Sequence, residues 1–453
     1  MSSDKDTPPQ LRWVETEALI LNVSGPVGAL HLQPWMTQAE TRRVIAALNA
    51  GGHEVRFIGG CVRDALVKRP VQDIDLALSA PPERVMELLT AAGVRVVPTG
   101  IAHGTVTAVV GRVHFEITSL RVDVETFGRH ARVEFTDDWS QDAARRDFTI
   151  NAMSCTPDGT IYDYFGGLDD LAAGRVRFVG DATQRIEEDA LRLLRFFRFY
   201  AVYGESPADE HALTACRERA VDVARLSVER VRGELLRLLM APEPADVLQL
   251  MRDNGVLAHV LPEAGDLERL KRLCWLENHA LARASVKPDP TRRLAALFDA
   301  DGGIAEHVAE RLKFSIRERK RLLIAAARPW PCSLADDPKA LANALHHEGV
   351  HAVRDVALIQ WADELIGQAK LPRARTEAWC RVLDTIDNWR DVTFPLKGRD
   401  VIALGVPHGR AIGRLLRQVE DWWEEGGYVA GRTECLERLA ALMRETGERS
   451  ARA

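Results

Sequence analysis

Residues 56–79 read RFIGGCVRDALVKRPVQDIDLALS, and their reading decides the fold. A short apolar run ends in Gly59 and Gly60, a helical stretch CVRDALV follows, and a second apolar run carries Asp73 and Asp75 one residue apart. In a β-strand, residues i and i+2 point to the same face, so the pattern sets both carboxylates side by side while Ile74 and Leu76 face the other way. Adjacent carboxylates repel, and both stay ionised at neutral pH if a divalent cation lies between them. Oxygen ligands from one or two carboxylates plus substrate phosphates describe a Mg²⁺ site. A strand that merely ends at a solvated edge carries the same D-x-D, so the pair alone decides nothing.

The surroundings weigh toward chemistry. Two glycines ahead of a helix leave backbone N–H groups uncovered, the device by which glycine turns and helix N-termini hold phosphates. In GTVTAVVGRVHFEITSL, Gly111 separates two alternating runs, the pattern of a β-hairpin with one face covered, and Glu116 in its second arm offers a third carboxylate for a metal. An exposed strand glutamate without a role is the plainer reading of Glu116.

Further along, RRDFTINAM packs Arg145, Arg146 and Asp147 before a strand-like or short helical run. The arginines suit phosphate oxygens and the aspartate a ribose hydroxyl; a surface ion-pair cluster is the alternative. In RIEEDALRLLRFFRF, a continuous helix places Asp189 and Arg192 at i and i+3, on one face. Such a pair is an ordinary helix salt bridge or, more sharply, a carboxylate acceptor beside a guanidinium donor, complementary to the edges of cytosine and adenine and opposed to guanine and uracil. A wrong base left unpaired there costs about 1–3 kcal/mol per group.

The totals bound the rest. At 453 residues the chain exceeds what one core organises, and 46% hydrophobic with 28% charged and 6% aromatic residues fits an ordered, largely helical protein. A net charge of -6 excludes a general polycation, so a nucleic-acid partner must meet a local basic surface. Seven cysteines, scattered singly, argue against a disulfide framework and against a structural zinc site, and for reduced thiols. The acid-bearing start MSSDKDTPPQ and the lack of any long apolar run lead us to expect neither signal peptide nor membrane span, and a cytoplasmic protein. After Gly180, apolar residues recur three and four apart, which predicts amphipathic helices to the end of the chain. RLKFSIRERKRLL gathers Arg317 and Lys320 among other bases, either a solvated helix face or a backbone grip on RNA. Lys397, Arg399 and Arg410 lie in glycine-containing segments that suit phosphates.

Taken in order, GGCVRD with DID, FEITSLR, RRDFTINAM, IYDYFGGLDDLAAGRVRFVGD, EEDALRLLRFFRF and SVERVRGELLRLL resemble the class II tRNA nucleotidyltransferases, the CCA-adding enzymes, over residues 55–240. The likeness is strongest to the branch that includes mitochondrial members. It implies an α+β chain: an N-terminal extension (1–35), a nucleotidyltransferase palm head (36–180), a helical neck with a nucleotide-selecting helix (181–262), a helical body (263–390) and a tRNA-binding tail (391–453). It also implies catalytic Asp73, Asp75 and Glu116, with Asp73 and Asp75 binding two Mg²⁺ ions. The nucleotide-binding set it implies is Gly59, Gly60, Arg63, Arg146, Asp147, Asn151, Asp189, Arg192, Arg195 and Arg198. The substrates would be CTP, ATP and the tRNA acceptor end and elbow, with Arg317, Lys320, Lys397, Arg399 and Arg410 the candidate tRNA contacts. Residues 123–142, with Arg129, His130, Arg132, Asp137 and Asp138, correspond to the loop associated with switching to ATP after two cytidines. The alternatives are a bacterial poly(A) polymerase, which shares the head and neck motifs, and a catalytically silent RNA-binding protein on the same fold. The sequence does not give the oligomeric state.

Overall fold

The strands that frame the opening stretch, β2 (Val55–Ile58) and β3 (Ile74–Leu78), lie at the centre of an eight-stranded mixed sheet. The computed structural model describes residues 25–127, 130–280, 283–330, 334–368, 370–390 and 392–451. The remaining strands are β1 (Pro26–Ala29), β4 (Arg95–Gly100), β5 (Thr105–Val110), β6 (Val113–Ser119), β7 (Arg121–Phe127), β8 (His130–Phe135), β9 (Ser154–Cys155) and β10 (Thr160–Tyr162). The large sheet runs β1-β10-β9-β2-β3-β6-β5-β4, and β7 pairs with β8 as a separate ribbon.

Period-two alternation explains how this sheet packs. Ile74, Leu76 and Leu78 are buried together with Phe57, Phe115 and Ile117, on the face covered by the helices Ala39–Asn49 and Pro82–Ala91, which contact β2, β4 and β5. Burying a side chain such as Phe57 contributes about 2 kcal/mol. The opposite face presents Asp75 and Ala77, and Ala77 packs with Ile58, Leu120 and Trp139. The β5–β6 hairpin turns at Gly111 and Arg112, between the paired Val110 and Val113, and Gly111 takes the positive φ of 61° that such a tight turn requires.

Beyond Gly180 the described residues are mostly helical, as the periodicity predicts. The run expected as a single helix from Glu187 splits into the helices Ala182–Glu188 and Leu191–Tyr203, because Asp189 is extended (φ -153°, ψ 106°). The chain divides into two units, one ending at Pro262 and the other beginning at Glu263. In the second unit the helix Arg410–Glu425 is strongly amphipathic: Leu415, Val419 and Trp423 join Leu396, Val401, Cys435, Leu439 and Leu442 in a core of their own. Among the described residues six cysteines are free thiols, and no helix is long and apolar enough to cross a membrane.

Candidate active site

Asp75 and Glu116 face each other directly across the parallel pairing of β3 with β6, so their side chains leave the same side of the sheet. Asp73 lies one residue ahead of β3 instead of within it, exposed, yet close enough for its charge to act on Asp75. Burial pushes the Asp75 carboxyl up to about 6, Glu116 and Asp73 add repulsion, and Arg146 and Arg63 oppose them. This patch holds more negative charge than its neighbours neutralise. A hard dication with oxygen ligands fits that donor set. The three carboxylates do not close on one point within 4.8 Å as some other side chains do.

The glycine turn also seats an arginine. Gly59 starts the helix Gly60–Leu66 with φ 64°, and its own N–H is spent on Met153 O at 3.1 Å. A Cβ there would lie 3.2 Å from the Arg146 guanidinium, so the missing side chain makes room for an arginine against the turn. Arg146 donates to Asp142 Oδ2 at 3.0 Å, and Arg145 to Asp142 Oδ1. Burial opposes ionisation of Asp142, but Arg146 and Arg145 outweigh it and hold the carboxyl below the usual carboxylate range. Arg63 donates to Asn151 Oδ1 and to both oxygens of Asp64, which also accepts from the Tyr203 hydroxyl at 2.5 Å.

Asp147, expected as the acceptor of a ribose hydroxyl, is engaged within the protein in this structure. Its carboxylate is buried and already accepts from Phe148 N (2.9 Å), Asn151 Nδ2 (3.0 Å) and Arg195 Nε (2.7 Å). Burial works against its charge, yet Arg195 and the amide donors keep its pKa below the ordinary value. The Phe148 ring, packed against Phe178 at 4.8 Å and Phe199 at 5.3 Å, fixes this segment to the helix Leu191–Tyr203.

That helix carries Arg192, Arg195 and Arg198 three residues apart, and each meets a carboxylate: Glu188, Asp147 and Glu234 respectively. Asp189 and Arg192 do not form the shared face predicted for them. The chain leaves the helix at Asp189, whose carboxylate accepts from Leu191 N (3.1 Å) and from Arg230 (2.6 Å) in the helix Val228–Leu239. Arg192 turns to Glu188 and to the backbone oxygens of Arg185 and Arg145. Asp189, Glu188, Ser227 and Arg230 line a cavity of about 460 Å³ that Arg192 does not line. The sequence reading missed Asp142, Glu188, Arg230 and Glu234; the signal available was the arginine ladder itself, since three half-buried guanidiniums beside phenylalanines require counter-charges.

In the second unit the basic candidates separate. Lys320 already pairs with Glu348 at 3.0 Å, Arg319 with Glu310 and Arg321 with Asp355, so the 311–321 segment is largely compensated, with Arg317 exposed. Lys397 and Arg399 are exposed at the start of a short helix, where Asp400 caps Lys397 N at 2.7 Å. Arg410, Arg414 and Arg417 form an exposed stripe at i, i+4 and i+7 beside a hollow of about 530 Å³, and the last two were not singled out from sequence. The ribbon β7–β8 occupies the region expected to switch nucleotides; residues 128 and 129, and the side chains of residues 123–132, lie outside the described residues.

Known proteins resemble this chain in fold and sequence. The family model described as the poly A polymerase head domain matches residues 55–177, and one described as a probable RNA and SrmB-binding site of polymerase A matches residues 209–267. The mitochondrial CCA tRNA nucleotidyltransferase 1 of Danio rerio is 37% identical over 392 residues, covering 85% of this chain and 87% of the relative. The CCA-adding enzyme of Leuconostoc citreum is 39% identical, covering 84% and 90%. The crystal structure of the Bacillus stearothermophilus CCA-adding enzyme in complex with CTP superposes with a TM-score of 0.72 at 26% identity, covering 93% of this chain and all of that one. With the sheet, the acidic strand pair and the arginine ladder in place, this chain belongs to the family of CCA tRNA nucleotidyltransferases.

Proposed function

We propose that the chain adds C, C and A to the tRNA 3′ end from CTP and ATP, without a nucleic-acid template. The observation that carries this reading is the in-register pair Asp75 and Glu116, with Asp73 beside them, at the edge of a shell of arginines. The terminal 3′-hydroxyl oxygen forms the new bond to the nucleotide α-phosphate, and the bond to the leaving pyrophosphate breaks. Asp73 and Asp75 would hold Mg²⁺ with Glu116 alongside. The chemistry Mg²⁺ supplies when bound is a lower pKa for the attacking hydroxyl and neutralised charge on the leaving group.

The chain's own residues position the substrate. Arg146, seated against Gly59, is placed to meet phosphate oxygens if it exchanges its bond to Asp142 for one to the nucleotide. Asp147 acts as an anchor: it orients Asn151 and Arg195, and through them the phosphate side of the site. Base choice rests on Asp189 and Arg192, which here are held by Arg230 and Glu188. Binding of cytosine or adenine would exchange those bonds for the amino and ring-acceptor groups of the base. Guanine and uracil offer no such exchange.

We assign the head to residues 36–180, the neck to 181–262, the body to 263–390 and the tail to 391–453. The stripe Arg410, Arg414 and Arg417 is the best placed surface for tRNA phosphates, since tRNAs share shape and backbone instead of sequence. Free thiols support a reducing compartment, the cytoplasm in this reading.

The test is product length on a tRNA lacking its 3′ end. CTP alone should add two cytidines and stop, ATP alone nothing, and both together the full CCA. A growing adenosine ladder from ATP alone would make the chain a poly(A) polymerase, and no extension under any mixture would make it a binding protein.

A further inference from the structure

Far along the chain from the catalytic carboxylates, the second unit brings two histidines and a glutamate together. His346 and His347 sit on the helix Pro338–Glu364, just before Gly349 leaves helical geometry (φ 81°, ψ 162°), and Glu424 sits at the end of the helix Arg410–Glu425. Among the described residues they are the one group of three potential ligands whose donor atoms all lie within 4.8 Å of one another. His347 Nε2 lies 3.2 Å from Glu424 Oε1. Ligands about 2.0–2.2 Å from a tetrahedral ion stand roughly 3.4 Å apart, so this edge already has the spacing of a coordinated pair.

Two further features favour a cation. Glu424 lies in the last turn of its helix, where no basic residue stands and the helix dipole adds partial negative charge instead of offsetting it. The His346 ring is also fixed: Trp423 and Tyr428 flank it at 5.6 and 5.0 Å, and the Tyr428 hydroxyl donates to Asn343 Oδ1 at 2.7 Å. Tyr428 holds a left-handed backbone (φ 65°), rare for a bulky residue and kept only where packing determines it. A clamped imidazole, a second imidazole open to solvent and a carboxylate leave a fourth position for water, the donor set of a borderline dication and not of Mg²⁺, which prefers oxygen.

We propose that His346, His347 and Glu424 bind a dication of the Zn²⁺ class, joining the arginine-bearing helix Arg410–Glu425 to the long helix Pro338–Glu364. The experiment is calorimetric titration of chelator-treated full-length protein with Zn²⁺, repeated with Mg²⁺ present in excess and with Co²⁺ followed by its visible absorption. The expected result is one equivalent of Zn²⁺ with a Kd on the order of micromolar or tighter, undisturbed by Mg²⁺, and intense Co²⁺ bands of a four-coordinate site. Glu424→Gln and His347→Asn should each weaken it at least about tenfold. His347 is exposed, so its replacement leaves the packing intact. Binding that is absent, that persists unchanged in both variants, or that disappears in Asp75→Asn would overturn the proposal.

Discussion

Two charged regions of this molecule use the same side chains to opposite ends. In the second unit Glu277, fully buried, accepts from Arg292 Nε and Arg293 Nε at 2.7 Å each; Arg292 also reaches Asp355, and Arg321 spans Asp355 and Asp289. Three guanidiniums meet three carboxylates there. On the sheet, Asp73, Asp75 and Glu116 crowd together, while the nearby cations Arg146 and Arg63 are already engaged by Asp142 and Asp64. Balanced buried charge is architecture. An excess of one sign, kept at a cost to the fold, marks the place where a cation and a substrate complete the structure.

The contrast can be broken in several places. The largest effect belongs to Asp75→Asn, which should lower incorporation of both nucleotides on the order of a thousandfold or more in single-turnover assays, a barrier change above about 4 kcal/mol. Next comes Glu277→Gln, which leaves two buried guanidiniums short of their carboxylate and should cost about 3–5 kcal/mol in urea unfolding. The same amide swap at exposed Glu116 should leave stability unchanged within about 0.5 kcal/mol while reducing activity. Arg230→Gln removes the bond that orients the Asp189 carboxylate in the cavity, and the loosened carboxylate should raise misincorporation of UTP and GTP roughly tenfold, measured by competition between nucleotides. Smallest is the paired replacement Arg414→Gln with Arg417→Gln: the slope of log affinity for tRNA against log salt should flatten by about 2, and an unchanged slope would remove the stripe from the tRNA contact.

What could be read from sequence was what neighbours in the chain determine. Asp73 and Asp75 declare themselves by spacing, the β5–β6 hairpin by Gly111, and the helical second half by its period. The arrangement of Asp189 and Arg192 is not legible, because apolar spacing continues smoothly through a residue whose backbone is extended. The partners that fix them come from elsewhere: Arg230 lies 41 residues beyond Asp189, and Glu234 lies 36 beyond Arg198. No local pattern announces such pairs. The Glu277 network is not legible in the sequence for the same reason, since burial of a charge is a tertiary fact. Arg414 and Arg417 extend the stripe begun by Arg410 at helical spacing, yet the exposure that makes the three a surface appears only in the fold.

Asp75 gives the most direct test. Its carboxyl, raised to about 6, binds a proton more readily folded than unfolded, so its contribution to stability is present below pH 4 and lost as the pH rises through about 6. Urea unfolding of wild type and Asp75→Asn at pH 5 and pH 8, with and without Mg²⁺, reads this. The account predicts that at pH 8 without Mg²⁺ the variant is the more stable by about 1–3 kcal/mol, that the gap shrinks at pH 5, and that Mg²⁺ stabilises wild type alone. A variant no more stable than wild type at pH 8, with Mg²⁺ acting equally on both, would contradict it.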